Sequence, residues 1–347
     1  MTSKLRAAVI GVGYLGRFHA QKYATLAAQE PHALELVGVA DADPDTARRV
    51  ATELGVAAFT DPAALPGQVD LVSIASSTAS HYALARQFLA AGVHVLVEKP
   101  ITVTVAEADA LIALAAAKNL VLQVGHLERF NPVWLAARPR VTRPQFIEAH
   151  RMAPFKPRGT DVSVVLDLMI HDLDLILPLI ASPLVDLRAA GVAVLTDGID
   201  IANARLEFAS GCVANLTASR TSTASLRRLR VFQHHDYLSL DFGERQVAHC
   251  HKKDGIDPAA DAAAALDCAS QTLPPADALL AEIEAFIAAI RQQTPPVVSG
   301  EDGRAALFVA SEIERMIHAR QHAFDAPPAA ATGVPPAPTF LATKAMP

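Results

Sequence analysis

Leu5-Arg-Ala-Ala-Val-Ile-Gly11-Val-Gly13-Tyr-Leu-Gly16 decides how the first third of the chain folds. An apolar run, Leu5–Gly11, ends in glycine, and Tyr14–Ala28 carries a helical pattern. Strand, tight turn and helix therefore follow within one short stretch. Outward from it the pairing repeats. Leu34–Asp41 reads as a strand, and a helix opens at Asp43 or Pro44 and runs to about Leu54. Strands are expected at Asp70–Ser76, His94–Glu98 and Leu120–Gly125, with helices at Ser80–Ala91 and Val105–Lys118 between them. Near-continuous Val, Ile, Leu and Ala in strands that alternate with helices implies a parallel sheet covered on both faces.

Beyond residue 125 the rhythm changes. A strand at Phe146–Met152 and a helix at Val164–Leu179 precede five strand-like runs: Val185–Ala190, Ala202–Phe208, Cys212–Ser219, Leu229–His234 and Tyr237–Phe242. Consecutive strands without helices between them imply an antiparallel sheet. Helices at Ala276–Arg291 and Asp302–His322 follow, then a Pro/Ala-rich stretch without periodicity, expected to be a flexible tail. The expected domains are residues 1–124, 125–325 and the tail 326–347. The expected fold class is α/β, a doubly wound parallel sheet, followed by an α+β domain with a large, mainly antiparallel sheet.

The 347 residues are 51% hydrophobic, enough for two cores, and the net charge of −6 argues against nucleic acid as a partner. Three cysteines, Cys212, Cys250 and Cys268, have no CxxC spacing, and an odd count suits a reducing compartment. No leader pattern and no long uninterrupted apolar run is present, so no membrane association is expected and the cytoplasm is the expected setting.

Gly11, Val12, Gly13, Tyr14, Leu15 and Gly16 match GxGxxG between a strand and a helix, the context in which glycines let backbone approach a pyrophosphate at a helix N-terminus. This is the signature of a Rossmann domain. Asp41 closes the second strand, where a carboxylate accepts hydrogen bonds from both ribose hydroxyls and repels a 2′-phosphate. NAD is therefore the expected cofactor, ahead of NADP. Ala75, Ser76, Ser77, His81, Glu98 and Lys99 lie at the carboxyl ends of expected strands, where such sheets bind ligands, and are candidate cofactor contacts.

Oxidising an alcohol needs a base for the hydroxyl proton while hydride leaves carbon. Asp167 and His171 are spaced i, i+4 on an expected helix, and imidazole titrates near neutral pH. Lys99 can stabilise a developing alkoxide. Lys99, Asp167 and His171 are thus the candidate catalytic residues. Asp167, His171 and Asp174, or His234, His235, Asp236, His249 and His251, are ligand types for an ion, but no zinc-type spacing joins them and no metal is expected.

Glu98-Lys99-Pro100, Gly125-His-Leu-Glu-Arg-Phe-Asn-Pro132, Asp167 with His171, and Ser299-Gly-Glu-Asp-Gly-Arg304 together resemble the Gfo/Idh/MocA oxidoreductase family over nearly the whole chain. Many members carry a proline in the turn at Ser76–Ser80, and it is absent here. The resemblance implies the same catalytic trio around a reacting hydroxyl, and a homo-oligomer, dimer or tetramer. Between His126 and Arg158 lie seven cations, Arg129, Arg138, Arg140, Arg143, Arg151, Lys156 and Arg158, against Glu128 and Glu148. Arginine suits phosphate geometry, so an anionic substrate is expected. Gly125–Pro132 and Arg151–Thr160 are similar to the nucleotide-sugar branch of the family. That likeness implies NAD-dependent oxidation of C3 of UDP-N-acetylglucosamine to a ketone in lipid A or cell-surface polysaccharide synthesis. Arg129, Asn131, Arg151 and Arg158, with Lys99 and His171, are then the candidate substrate contacts. The alternatives are a dehydrogenase of a free sugar or inositol-like polyol, and a non-catalytic NAD(P)-binding regulator.

Overall fold

The computed structural model describes residues 4–29, 33–156, 162–256, 259, 261 and 264–325. Arg158 and the expected tail at 326–347 lie outside the described residues. The chain gathers into two compact units: Met1–Phe130 with Asp277–Leu307, and Asn131–Ala276 with the chain from Phe308 onward.

The first unit runs β1 (Leu5–Ile10), α1 (Tyr14–Ala27), β2 (Leu34–Ala40), α2 (Pro44–Leu54), β3 (Ala57–Phe59), β4 (Leu71–Ile74), α3 (Thr78–Ala90), β5 (His94–Glu98), α4 (Val105–Ala117) and β6 (Leu122–Gly125). Its six strands are all parallel, in the order β3-β2-β1-β4-β5-β6. The order reverses between β1 and β4, which makes the carboxyl ends of those two strands the ligand crevice of a doubly wound sheet. β3 is an addition to the five expected strands. It is three residues long and two of them are exposed, so it carries no apolar run to read. Gly38 makes it possible: a Cβ there would lie 2.6 Å from both the Ala57 carbonyl oxygen and the Phe59 ring. Capping fixes the helix starts. Asp43 accepts from the Asp45 and Thr46 amides ahead of α2, and Thr104 and Glu107 form a reciprocal capping box on α4.

The second unit contains α5 (Pro132–Ala137), β7 (Pro144–Met152), a π-helical turn at Val165–Met169, α6 (Ile170–Ile180), β8 (Leu184–Val192), β9 (Ile201–Phe208), β10 (Val213–Ser219), β11 (Leu226–Gln233), β12 (Asp236–Asp241), β13 (Gln246–Lys252) and β14 (Leu266–Thr272). The eight strands are ordered β14-β13-β12-β11-β7-β10-β9-β8, antiparallel except for β7 with β10. Alternation explains the middle strands: on β9, Ala202, Ala204, Leu206 and Phe208 are buried and the residues between them are not. β13 and β14 went unexpected because they lack it. All seven residues of β14 are exposed.

Cys250 and Cys268 are register partners on β13 and β14, with Cα atoms 4.1 Å apart, and they are joined by a disulfide. The odd cysteine count suits a reducing compartment, yet two of the three cysteines are paired. Cys212 is a buried free thiol, and burial pushes its pKa up to about 11.

Two helices follow β14: α7 (Ala278–Gln292) and α8 (Gly300–Asp325). α7 groups with the first unit, although in the sequence it follows the strands of the second. Leu279, Ile283, Phe286 and Ile287 line one helical face. They are buried in the same cluster as Ala7 and Val9 of β1, Leu34 and Val39 of β2, and Tyr23 and Leu26 of α1. The start of α8 packs on β6: a Cβ on Gly303 would lie 2.6 Å from Val124, and one on Gly300 would lie 2.8 Å from Ile112. Among the described residues no helix is long and apolar enough to cross a membrane.

Candidate active site

The glycine loop sits at the carboxyl end of β1. Its three glycines have different jobs. A Cβ on Gly16 would lie 1.8 Å from the Gly11 carbonyl oxygen, and one on Gly11, at φ +79, would lie 2.6 Å from the Ser76 backbone. These two let the loop fold against itself and against the turn after β4. A Cβ on Gly13 would meet nothing within 4 Å. Gly13 is therefore the place where a ligand's phosphates can come close to backbone, at the start of α1, which has no side-chain cap. Tyr14 and Leu15 beside it are exposed, and the Tyr14 ring meets Phe18 edge-on at 5.4 Å.

Asp41, just beyond β2, accepts from the Val12 amide at 2.8 Å and from the Asp43 amide at 3.0 Å. The carboxylate is thereby tied to the glycine loop, at the position that reads a ribose in this fold. The loop cradle and the placed carboxylate fit NAD.

The turn after β4 is held by its own hydroxyls. Ser76 Oγ and Ser80 Oγ lie 2.7 Å apart, and Ser80 Oγ donates to the Ser77 carbonyl. The Ala75 amide donates to the Ile10 carbonyl at 2.8 Å, which fixes the turn beside the glycine loop. His81, an expected cofactor contact, is not a surface residue. It is buried, with Nδ1 2.9 Å from the Pro100 carbonyl oxygen and Nε2 3.1 Å from that of Ser76. It braces the turns after β4 and β5 against each other. Burial pushes its pKa below the ordinary histidine range, against the two carbonyl contacts, which favour the protonated ring.

At the end of β5, Glu98 is buried while Lys99 is partly exposed. The Glu98 carboxylate lies 3.0 Å from His19 Nε2 through one oxygen and accepts the Lys99 amide at 3.2 Å through the other. Burial works to raise its pKa, but the His19 bond and the nearby Lys99 charge outweigh that and hold it below the ordinary range. A Cβ on Gly125 would lie 2.8 Å from this carboxylate, so β6 needs glycine there. Glu98 thus acts on the chain rather than outward. Among the described residues, His19, Glu98 and Glu282 are the group of His and acidic side chains close enough to share an ion, with ligating atoms within 4.8 Å of one another. They are not the histidine and aspartate groups that the sequence flagged.

In the second unit, Asp167 lies in the π-helical turn and His171 in the first turn of α6, both half-buried. The expected single helix is therefore two pieces, and a π-helical turn of this kind is frequent at functional sites. The segment entering it is anchored. The Arg220 guanidinium donates to the Val162 carbonyl at 2.8 Å, and the Val164 amide donates to the Ile199 carbonyl at 2.9 Å. Arg220 also binds Asp200 at 2.7 Å, and Asp200 accepts the Val194, Leu195 and Thr196 amides. Burial of Asp200 opposes its ionisation, but these donors hold its pKa far below the ordinary range. The sequence reading contained neither residue of this pair.

The basic segment divides: Arg138, Arg140, Arg143 and Lys156 are exposed, while Arg129 and Arg151 are buried. Arg151, on β7, is buried and binds Asp172 with Nε and Nη2 at 2.8–3.2 Å. Arg129, in the first unit, is buried with Asp302 at 3.5 Å. Arg140 meets His249 Nδ1 at 3.0 Å, and Glu148 pairs with Arg230. Asn131 caps α5, accepting the Val133 amide at 3.0 Å. Arg129 and Arg151, expected substrate contacts, are thus each buried beside a carboxylate, the partner that a buried guanidinium needs.

The comparisons agree with this architecture. Residues 5–126 match the GFO/IDH/MocA model described as "Oxidoreductase family, NAD-binding Rossmann fold", and residues 137–236 match the GFO/IDH/MocA C-terminal domain. The chain is 42% identical over 318 residues to UDP-N-acetylglucosamine 3-dehydrogenase of Acidithiobacillus ferrooxidans, covering 91% of this chain and 98% of that one. A solved structure of that enzyme superposes with a TM-score of 0.83, covering 92% of this chain and 99% of the other. Myo-inositol 2-dehydrogenase of Thermotoga maritima is 26% identical, covering 91% of this chain and 97% of the relative. The glycine cradle, the placed Asp41 and these matches lead to one conclusion: the chain belongs to the Gfo/Idh/MocA family of NAD-binding oxidoreductases.

Proposed function

We propose that this enzyme oxidises the C3 hydroxyl of UDP-N-acetylglucosamine to a ketone with NAD, in lipid A or cell-surface polysaccharide synthesis. The observation that supports this substrate is the 42% identity across 98% of a UDP-N-acetylglucosamine 3-dehydrogenase. NAD, when bound, supplies the hydride acceptor. Lys99 hydrogen-bonds the reacting oxygen and stabilises developing alkoxide. His171 takes the hydroxyl proton, and Asp167, one helical turn earlier, orients the substrate and the imidazole. Gly13 backbone and the start of α1 take the pyrophosphate, and Asp41 takes the adenosine ribose. Arg129, Asn131 and Arg151 are the proposed substrate contacts, the two arginines sharing their charge with Asp302 and Asp172.

The direct test is a panel of UDP-N-acetylglucosamine, free glucose and inositol with NAD and with NADP, followed at the nicotinamide absorbance. Reduction of NAD by the UDP-sugar is expected. Equal or better turnover of inositol or glucose would overturn the substrate and favour the free-polyol reading, which the 26% identical inositol dehydrogenase supports. We also propose a homo-oligomer, dimer or tetramer, which light scattering checks. The proposed setting is the cytoplasm, where NAD and nucleotide sugars are found; the Cys250–Cys268 bond is the observation that weighs against it.

A further inference from the structure

A strip of polar side chains runs through the interior of the first unit. Tyr23 Oη lies 2.9 Å from Ser73 Oγ, and Gln123 Nε2 donates to the Glu282 main-chain carbonyl at 3.0 Å. Between them are His19, Glu98 and Glu282, exposed by 0%, 8% and 0%. The strip crosses β4, β5 and β6 under α1 and α7. Polar groups in strands that are otherwise continuous apolar core are costly to bury, and so call for a role.

We infer that His19, Glu98 and Glu282 form a buried polar cluster that fixes the backbone at Lys99, with Glu282 a positioning residue brought in by α7. This rests on Lys99 acting at the reacting hydroxyl, as proposed above. The chain of contacts is short. Glu98 grips the Lys99 amide with one oxygen and His19 with the other, at 3.2 and 3.0 Å. Glu282 places a carboxylate oxygen within 4.8 Å of both partners' ligating atoms. Two carboxylates so close in an apolar interior are not both ionised without a proton or cation among the three groups. A proton held among the three groups would balance the two acids and leave Glu98 free to keep the Lys99 amide. Glu98 has no room to swing away, because β6 abuts it at Gly125. Displacing a catalytic group by about 1 Å costs on the order of 100-fold in rate, so a loosened Lys99 is a measurable defect.

The experiment compares full-length wild type with Glu282→Ala, Glu282→Gln and Lys99→Ala, reading kcat and KM for UDP-N-acetylglucosamine, NADH affinity by fluorescence, and metal content. Glu282→Ala is expected to lower kcat about 10- to 100-fold with NADH affinity and KM within about threefold. Glu282→Gln, which keeps the shape and can donate as a protonated acid does, is expected to recover most of kcat. Full kcat in Glu282→Ala would overturn the inference. So would a Gln variant as slow as the Ala variant, or loss of NADH binding in step with kcat. One divalent ion per chain, released by Glu282→Gln, would overturn the proton-linked cluster in favour of a metal centre. If Glu282→Ala does not fold, His19→Gln carries the test: lowered kcat at unchanged NADH affinity supports the cluster, and full kcat overturns it. Full turnover in Lys99→Ala would instead sink the catalytic reading, independently of Glu282.

Discussion

Buried acids are held differently in the two units. In the second unit, Asp172 and Asp200 each face an arginine at 2.7–2.8 Å, on side chains at most 6% exposed. A guanidinium stays charged at any working pH, so each of these pairs is a fixed strut. In the first unit, Glu98 and Glu282 lie with the His19 imidazole, their ligating atoms within 4.8 Å of one another. In the cluster inferred above, their arrangement depends on where a proton sits. Permanent pairs serve the framework, while a proton-dependent cluster sits directly behind the proposed catalytic lysine.

The contrast breaks most visibly in stability. Arg151→Ala takes the guanidinium away from the buried Asp172 carboxylate and is expected to cost about 3–5 kcal/mol in urea or thermal unfolding. Glu282→Gln should cost far less. If the two lose the same amount, the distinction between strut and cluster is wrong.

The next effect is kinetic. Lys99→Ala should lower kcat by about 100- to 1000-fold, with NADH affinity and melting temperature close to wild type. His171→Ala should behave similarly. Retained activity in both would remove the proposed mechanism.

Acid sharpens the comparison further. Asp200 has a folded-state pKa below its unfolded value, so its stabilisation is present above the unfolded carboxylate range and is lost as pH falls through that range toward the folded value. Arg220→Gln removes one of the donors that lowers it. The acid-unfolding midpoint should therefore move to higher pH, as followed by circular dichroism. An unchanged midpoint would show that the three backbone amides suffice.

The smallest expected effect is at the cofactor. Asp41→Asn keeps the Val12 contact possible but removes the charge that repels a 2′-phosphate. NAD affinity should fall about tenfold and the preference over NADP should narrow. Unchanged discrimination would mean that Asp41 serves the loop alone.

Much of the first unit was legible along the chain. Its strands are short apolar runs, and the glycine loop has only one way to fold between a strand and a helix. β3 was missed because its three residues are mostly exposed, and β13 and β14 because neither alternates. The split of the basic segment was not legible for a different reason. Arg129 and Arg151 look like surface charge when only their neighbours in sequence are counted. Their partners, Asp302 and Asp172, lie 173 and 21 residues away. Glu282 did leave a trace: it is a charged residue within the apolar face made by Leu279, Ile283 and Phe286.

The sequence by itself determined the glycine cradle, the acidic end of β2, the alternation of strand and helix, and the residue types of the proposed catalytic trio. These depend on neighbours, on periodicity and on what glycine alone permits. Tertiary structure decided which charges are matched, that α7 packs on the first unit, and that His81 braces two turns. It also decided that Glu98 faces inward to His19 and the Lys99 amide. Those outcomes depend on pairings between distant residues, where the cost of burying a charge selects its partner and no local pattern records the choice.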